Sequence, residues 1–156
     1  MDGDTVSVER TIAAPPEKIF ALLSDAGKHR AFDGSGTVIG SRRTDARAKA
    51  ERLRIGSEFG MSMKQGLPYS TVNTVIEYED NLRIAWQTVG SGFLGQVIGG
   101  RIWRYELEAT DAGTLVRETW DLSQDRQAFL IKRSKLPSTT ERNMQRTLER
   151  IEREVT

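Results

Sequence analysis

The chain has 156 residues, 37% apolar and 29% charged, with net charge +1, no cysteine and one histidine. That balance is the composition of a globular chain, read here as one domain over 1–156, and it speaks against a disordered segment or a dedicated nucleic-acid binder. Without cysteine there are no disulfides, thiolate metal sites or thiol nucleophiles, and a lone His29 excludes zinc sites of two or three imidazoles. No metal or cofactor is expected, and catalytic acids and bases would have to be carboxylates, tyrosines or arginines. No apolar run is long enough to cross a bilayer. The acidic Met1-Asp2-Gly3-Asp4 start lacks a signal-peptide core, so a cytoplasmic location is expected.

Val6, Val8 and Ile12 recur at the even spacing of a half-buried strand. Pro15 and Pro16 suit the first turn of a helix, where Ile19, Phe20, Leu22 and Leu23 share one face. Ser24-Asp25 caps a second short helix to about Phe32, with His29 and Arg30 near its C-terminal end. Asp33-Gly34-Ser35-Gly36 reads as a turn into a strand from Thr37. Arg42 to Arg54 is rich in basic residues without interleaved aromatics, which fits a solvated loop better than a nucleic-acid surface. Phe59, Met61 and Met63 alternate with Glu58, Gly60 and Ser62 in the next strand. Gly66-Leu67-Pro68 then turns into a strand over Ser70–Glu79. On it either Val72, Thr74, Ile76 and Tyr78 or Thr71, Asn73, Val75 and Glu77 face inward.

Glu79-Asp80-Asn81 makes a tight turn into Leu82–Val89, on which Leu82, Ile84, Trp86 and Thr88 share a face. Gly90-Ser91-Gly92-Phe93-Leu94-Gly95 spells G-x-G-x-x-G, but no helix opens behind it to meet a phosphate. It reads instead as a hairpin tip in which Phe93, Leu94, Val97 and Ile98 form a flap. Arg101–Ala109 and Thr114–Leu122 form a hairpin through Thr110-Asp111-Ala112-Gly113. Its inward sets are Trp103, Tyr105 and Leu107, and Val116, Glu118, Trp120 and Leu122. Phe129, flanked by Arg126, Lys132, Arg133 and Lys135, belongs to a lid, a transient membrane contact or a short packed helix. Ser138 and Glu141 spell a capping box for a last helix roughly 25 Å long, whose stripe is Met144, Leu148, Ile151 and Val155. The predicted class is α+β: a curved antiparallel sheet of about six or seven strands around a long C-terminal helix, with two short helices after the first strand and an internal cavity.

The chain resembles the START-related helix-grip superfamily (SRPBCC), in its polyketide cyclase/dehydrase-like or lipid-transport-like branch. The resemblance is carried by Val8-Glu9-Arg10-Thr11-Ile12-Ala13-Ala14-Pro15, Asp33-Gly34-Ser35-Gly36-Thr37-Val38 and Phe59-Gly60-Met61-Ser62-Met63-Lys64. It continues through Ile84-Ala85-Trp86-Gln87, Trp103-Arg104-Tyr105-Glu106-Leu107, Glu118-Thr119-Trp120-Asp121 and the last helix. It implies a cavity between sheet and helix that holds a small hydrophobic molecule, a lipid or an aromatic polyketide-like compound. The lining expected for that cavity is Phe59, Met61, Met63, Tyr69, Ile84, Trp86, Trp103, Tyr105, Glu118, Trp120, Met144 and Leu148. Phe93, Leu94, Val97 and Phe129 are expected at its entrance. No catalytic motif is carried over. Glu118, placed between Val116 and Trp120, is the candidate acid or anchor, with Tyr105 or Tyr69 as a further proton carrier. A polyketide aromatase/cyclase-like enzyme and an interaction or stress-related adaptor are the alternatives. Nucleic-acid partners are not expected, and the chain is taken as a monomer or homodimer.

Overall fold

In this computed structural model the described residues are 1–36, 38–42, 52–65, 67–92 and 99–156, of which 38–42, 61–65 and 67–69 are described by backbone alone. The strands are β1 (Thr5–Ile12), β2 (Val38–Arg42), β3 (Glu58–Gln65), β4 (Leu67–Glu79), β5 (Arg83–Gly90), β6 (Gly99–Thr110) and β7 (Gly113–Asp121). The helices are α1 (Pro16–Leu23), α2 (His29–Phe32), α3 (Ala128–Lys132) and α4 (Leu136–Val155), with a single 3-10 turn at Ala26–Lys28. The strands form one antiparallel sheet in the order β1-β7-β6-β5-β4-β3-β2. Hairpins account for every neighbour except β1, which closes the far edge against β7. That pairing brings the first strand beside the last and lays α4 across both.

The sheet's inner face follows from strand parity. Val6, Val8 and Ile12 of β1 are buried, as are Val116, Glu118 and Trp120 of β7, Tyr105 and Leu107 of β6 and Ile84 and Trp86 of β5. Against them α4 presents Thr140, Met144, Thr147, Leu148, Ile151 and Val155, while α1 contributes Ile19, Phe20, Leu22 and Leu23. Each large apolar side chain sealed this way is worth about 1.5–3 kcal/mol relative to exposure. Arg10 shares the inward parity of β1 and reaches α4, its Nε 2.8 Å from Glu152 Oε2.

On the opposite face Glu9, Arg117, Glu106 and Arg83 form a ladder of ion pairs across β1, β7, β6 and β5. Arg104 bridges Glu77 at 2.6 Å and Asp121 at 3.7 Å. These pairs are mostly half-exposed and settle register and solubility more than stability.

Several elements depart from the sequence expectation. On β4 neither alternating set is inward throughout. Thr71, Asn73 and Val75 are buried, the register then shifts between Val75 and Glu77, and Ile76 is exposed. Beyond this bulge Tyr78 packs against Phe20 at 5.4 Å, which leaves Glu77 outside to meet Arg104. Leu82 lies in the turn before β5 and is exposed rather than inward. The Ser138/Glu141 capping box does not form. Helix α4 begins one turn earlier, at Leu136 with Pro137 in its first turn, and Ser138 Oγ donates to the Lys135 carbonyl at 3.0 Å. His29 opens α2 instead of closing a helix, and it is buried. Asp25 does cap the 3-10 turn, accepting from the Gly27 N–H at 3.0 Å.

The turn after α2 is clamped on α4. Gly34 N–H donates to Thr147 Oγ1 at 2.9 Å, and the Asp33 carbonyl accepts from Arg150. A Cβ on Gly34 would sit 2.1 Å from the Asn143 carbonyl oxygen, so only glycine fits. Most of the Arg42–Arg54 segment lies outside the described residues. At its end Leu53 is buried, and Arg52 lies over the Phe20 ring at 5.4 Å and pairs with Asp80 at 3.5 Å.

Candidate functional site

The inner face carries a file of aromatic rings that ends on a carboxyl group. His29 stacks on Trp86, with centroids 4.9 Å apart and planes 21° from parallel, and meets Phe59 edge-on at 5.2 Å. Trp86 lies 5.6 Å from Tyr105, whose hydroxyl donates to Glu118 Oε1 at 2.8 Å. On the next rung Trp103 and Trp120 are 6.0 Å apart. The register explains the grouping, because Trp86 pairs with Trp103, Tyr105 with Glu118, and Trp103 with Trp120 on adjacent strands. Directly opposed residues on one face are neighbours, so a sequence pattern becomes a cluster.

Glu118 is 2% exposed. Burial, joined by the charge of Asp33, pushes its carboxyl up to about 8, against the lowering effect of the Tyr105 hydrogen bond. At neutral pH it is therefore largely a neutral acid. Tyr105, also buried, is raised well above its ordinary range by desolvation and by Glu118. Burial lowers His29 to about 4, despite the hydrogen bond to Leu23 and the nearby Asp25 and Asp33. Its Nε2 lies 2.9 Å from the Leu23 carbonyl and donates to it. The other nitrogen is then a lone-pair acceptor.

Three fully buried polar atoms have no hydrogen-bond partner among the described residues: His29 Nδ1, Glu118 Oε2 and Trp120 Nε1. Each such group costs about 1–3 kcal/mol. With Glu118 protonated and Tyr105 donating to Oε1, Oε2 carries the proton. The interior then offers two unused donors, Glu118 and Trp120, and one unused acceptor, His29. Nearer the sheet's other end Thr88 Oγ1 donates to Asn73 Oδ1 at 2.6 Å, and Asn73 Nδ2 donates to the Phe59 carbonyl.

Of the residues expected from sequence, Phe59, Ile84, Trp86, Tyr105, Glu118, Trp120, Met144 and Leu148 are buried together between sheet and α4, and Trp103 is half-buried at their edge. Phe129 is exposed on α3. The side chains of Met61, Met63 and Tyr69, and the whole of Phe93, Leu94 and Val97, lie outside the described residues. His29 was not among the expected lining. One histidine beside a helix end reads as structural rather than catalytic, and only the stack with Trp86 reveals its place. Among the described residues no three potential ligand side chains converge as a metal site.

A curved antiparallel sheet gripping a long C-terminal helix defines the class: this is a helix-grip protein. Residues 4–156 match the family described as polyketide cyclase / dehydrase and lipid transport, and the chain belongs to that family within the SRPBCC superfamily. It is 36% identical over 118 residues to the uncharacterized protein Rv0088 of Mycobacterium tuberculosis, covering 74% of this chain and 46% of the relative. The chain thus spans about half the length of the curated relatives it matches. The crystal structure of protein CV1439 from Chromobacterium violaceum superposes with a TM-score of 0.70 at 16% identity, covering 97% of this chain and 96% of that one. Ara h 8.0201 superposes with a TM-score of 0.69 at 13% identity, covering 97% and 96%. At these identities the likeness is one of fold. No helix among the described residues is long and apolar enough to cross a membrane.

Proposed function

We propose that the protein encloses one small hydrophobic molecule, a lipid or an aromatic polyketide-like compound, between the inner face of the sheet and α4, and that this molecule carries a hydrogen-bond-accepting oxygen. The observation that carries the reading is Glu118, held by Tyr105 through Oε1 with Oε2 left without a partner in an aromatic interior. The apolar body of the ligand supplies affinity: burying roughly 300 Å² at about 25 cal/mol/Å² gives about 7 kcal/mol gross, from which association and ordering costs are subtracted. Its oxygen accepts from Glu118, and from Trp120 where the ligand reaches that far. All three unpartnered atoms are sealed from solvent, so ligand entry displaces a neighbouring side chain. Trp103, half-buried and 6.0 Å from Trp120 ring to ring, is placed to move.

Quenching of tryptophan fluorescence by 1-tetralone and by tetralin tests this reading. The two probes share a bicyclic body and differ by one carbonyl oxygen. The ketone should bind about fivefold tighter near neutral pH, the worth of one net hydrogen bond. That preference should fade as pH rises through about 8, where Glu118 loses its proton, and persist in E118Q, whose amide still donates. Equal affinities at every pH, or no uptake of either probe, would defeat the reading. The same neutral carboxyl also supports a second reading, an aromatase/cyclase-like enzyme in which Glu118 protonates an enolising polyketide. Under that reading E118Q binds ligand but loses turnover.

A further inference from the structure

Phe129 and Leu130 stand side by side on α3, 64% and 67% exposed, while Ile131 in the same turn is buried and fixes the helix to the core. Lys132, Arg133 and Lys135 are exposed around them, and no carboxylate occurs in the sequence between Arg126 and Thr140. The Arg133 guanidinium lies 4.0 Å from the centre of the Phe129 ring, and Lys132 pairs with Asp4. An apolar pair at the tip of a rigid short helix, ringed by cations, needs a surface that is greasy beneath and negative on top.

We infer that α3 is a docking point for an anionic lipid bilayer, with Phe129 and Leu130 entering between the headgroups and Arg133 and Lys135 held at the level of the phosphates. Size favours a bilayer over a protein partner. Two such side chains offer on the order of 250 Å², well short of the ~800 Å² per partner that a stable protein interface uses. A membrane asks for less, because a few apolar side chains and an electrostatic attraction act together. Long basic side chains keep their charge at the interface while their stems lie along the apolar layer. None of these residues belongs to the interior cluster around Glu118, so the inference stands apart from the ligand.

Sedimentation of the full chain with phosphatidylcholine vesicles containing about 30% phosphatidylserine tests it against vesicles of phosphatidylcholine alone. Binding should require the anionic lipid and weaken in about 0.5 M salt, which screens charges beyond about 4 Å. F129A/L130A should bind at least tenfold more weakly, with near-ultraviolet dichroism unchanged because both side chains are exposed. R133Q/K135Q should lose about fivefold per charge removed. Equal sedimentation with both vesicle types, or binding unaffected by F129A/L130A, would overturn the proposal. So would a chain that ignores vesicles and instead forms a concentration-dependent dimer that F129A/L130A abolishes, which would assign the patch to a protein interface.

Discussion

Between about pH 6.5 and pH 8 the stability of this protein should follow one proton, the one on Glu118. Its carboxyl rises from an ordinary 4.5 to about 8 on folding, while His29 falls from 6.5 to about 4. Below about pH 4.5 Glu118 is protonated in both the folded and unfolded chain. From 4.5 to 6.5 the folded chain holds a proton on Glu118 that the unfolded chain has lost, and lacks one on His29 that the unfolded chain has gained. The two effects oppose and stability is nearly level. Above 6.5 His29 is neutral in both states and only Glu118 counts. The folded chain then binds more protons than the unfolded one, so stability falls as pH rises. Over the 1.5 units to pH 8 the loss is about 2 kcal/mol at 1.36 kcal/mol per unit. Above 8 the carboxylate is ionised in both states and the fall stops. Urea unfolding followed by tryptophan fluorescence measures it. E118Q removes the fall and exposes the opposite slope of His29, a loss of about 3 kcal/mol as pH drops from 6.5 to 4. A wild-type chain equally stable at pH 6.5 and 8, or an E118Q chain with the same decline, would refute the assignment of a buried, protonated Glu118.

Four further substitutions probe the framework, each by urea unfolding. Y105F removes the donor to Glu118 Oε1, should cost about 1–3 kcal/mol, and should move the alkaline fall to higher pH because that hydrogen bond lowers the carboxyl. L148A empties a site 1% exposed at the centre of α4 and should cost about 2–5 kcal/mol. G34A drives a methyl group into the α4 backbone and should cost about 3 kcal/mol, whereas R10Q, which removes the part-exposed pair with Glu152, should cost under about 1 kcal/mol.

Parity made much of the interior legible. Tyr105 and Leu107, Val116, Glu118, Trp120 and Leu122, and Ile84 and Trp86 are buried as alternation selects them, whereas Trp103 and Thr88 are half-buried and Leu82 is exposed. The α4 stripe of Met144, Leu148, Ile151 and Val155 was legible for the same reason, since its spacing matches the helical period. Alternation failed on β4, where the bulge at Ile76 inserts one residue and reverses the faces of Glu77 and Tyr78. Nothing local marks that bulge, whose partners lie on another strand. Asp33-Gly34-Ser35-Gly36 read as a turn, but the need for Gly34 comes from a helix more than a hundred residues away. The place of His29 was not legible because, of the rings around it, only Phe32 is near in sequence, while Phe59 and Trp86 come from β3 and β5. The Ser138/Glu141 pair has the spacing of a cap but sits inside a helix already begun by Leu136 and Pro137, where the hydroxyl bonds backward instead.

Native mass spectrometry of the freshly purified chain, repeated after denaturing extraction, bears most directly on the central claim of an enclosed ligand. The account predicts a small apolar molecule with at least one oxygen, retained in the native spectrum and released on unfolding. A native mass equal to the bare chain, together with no uptake of 1-tetralone or a fluorescent fatty acid, would contradict it.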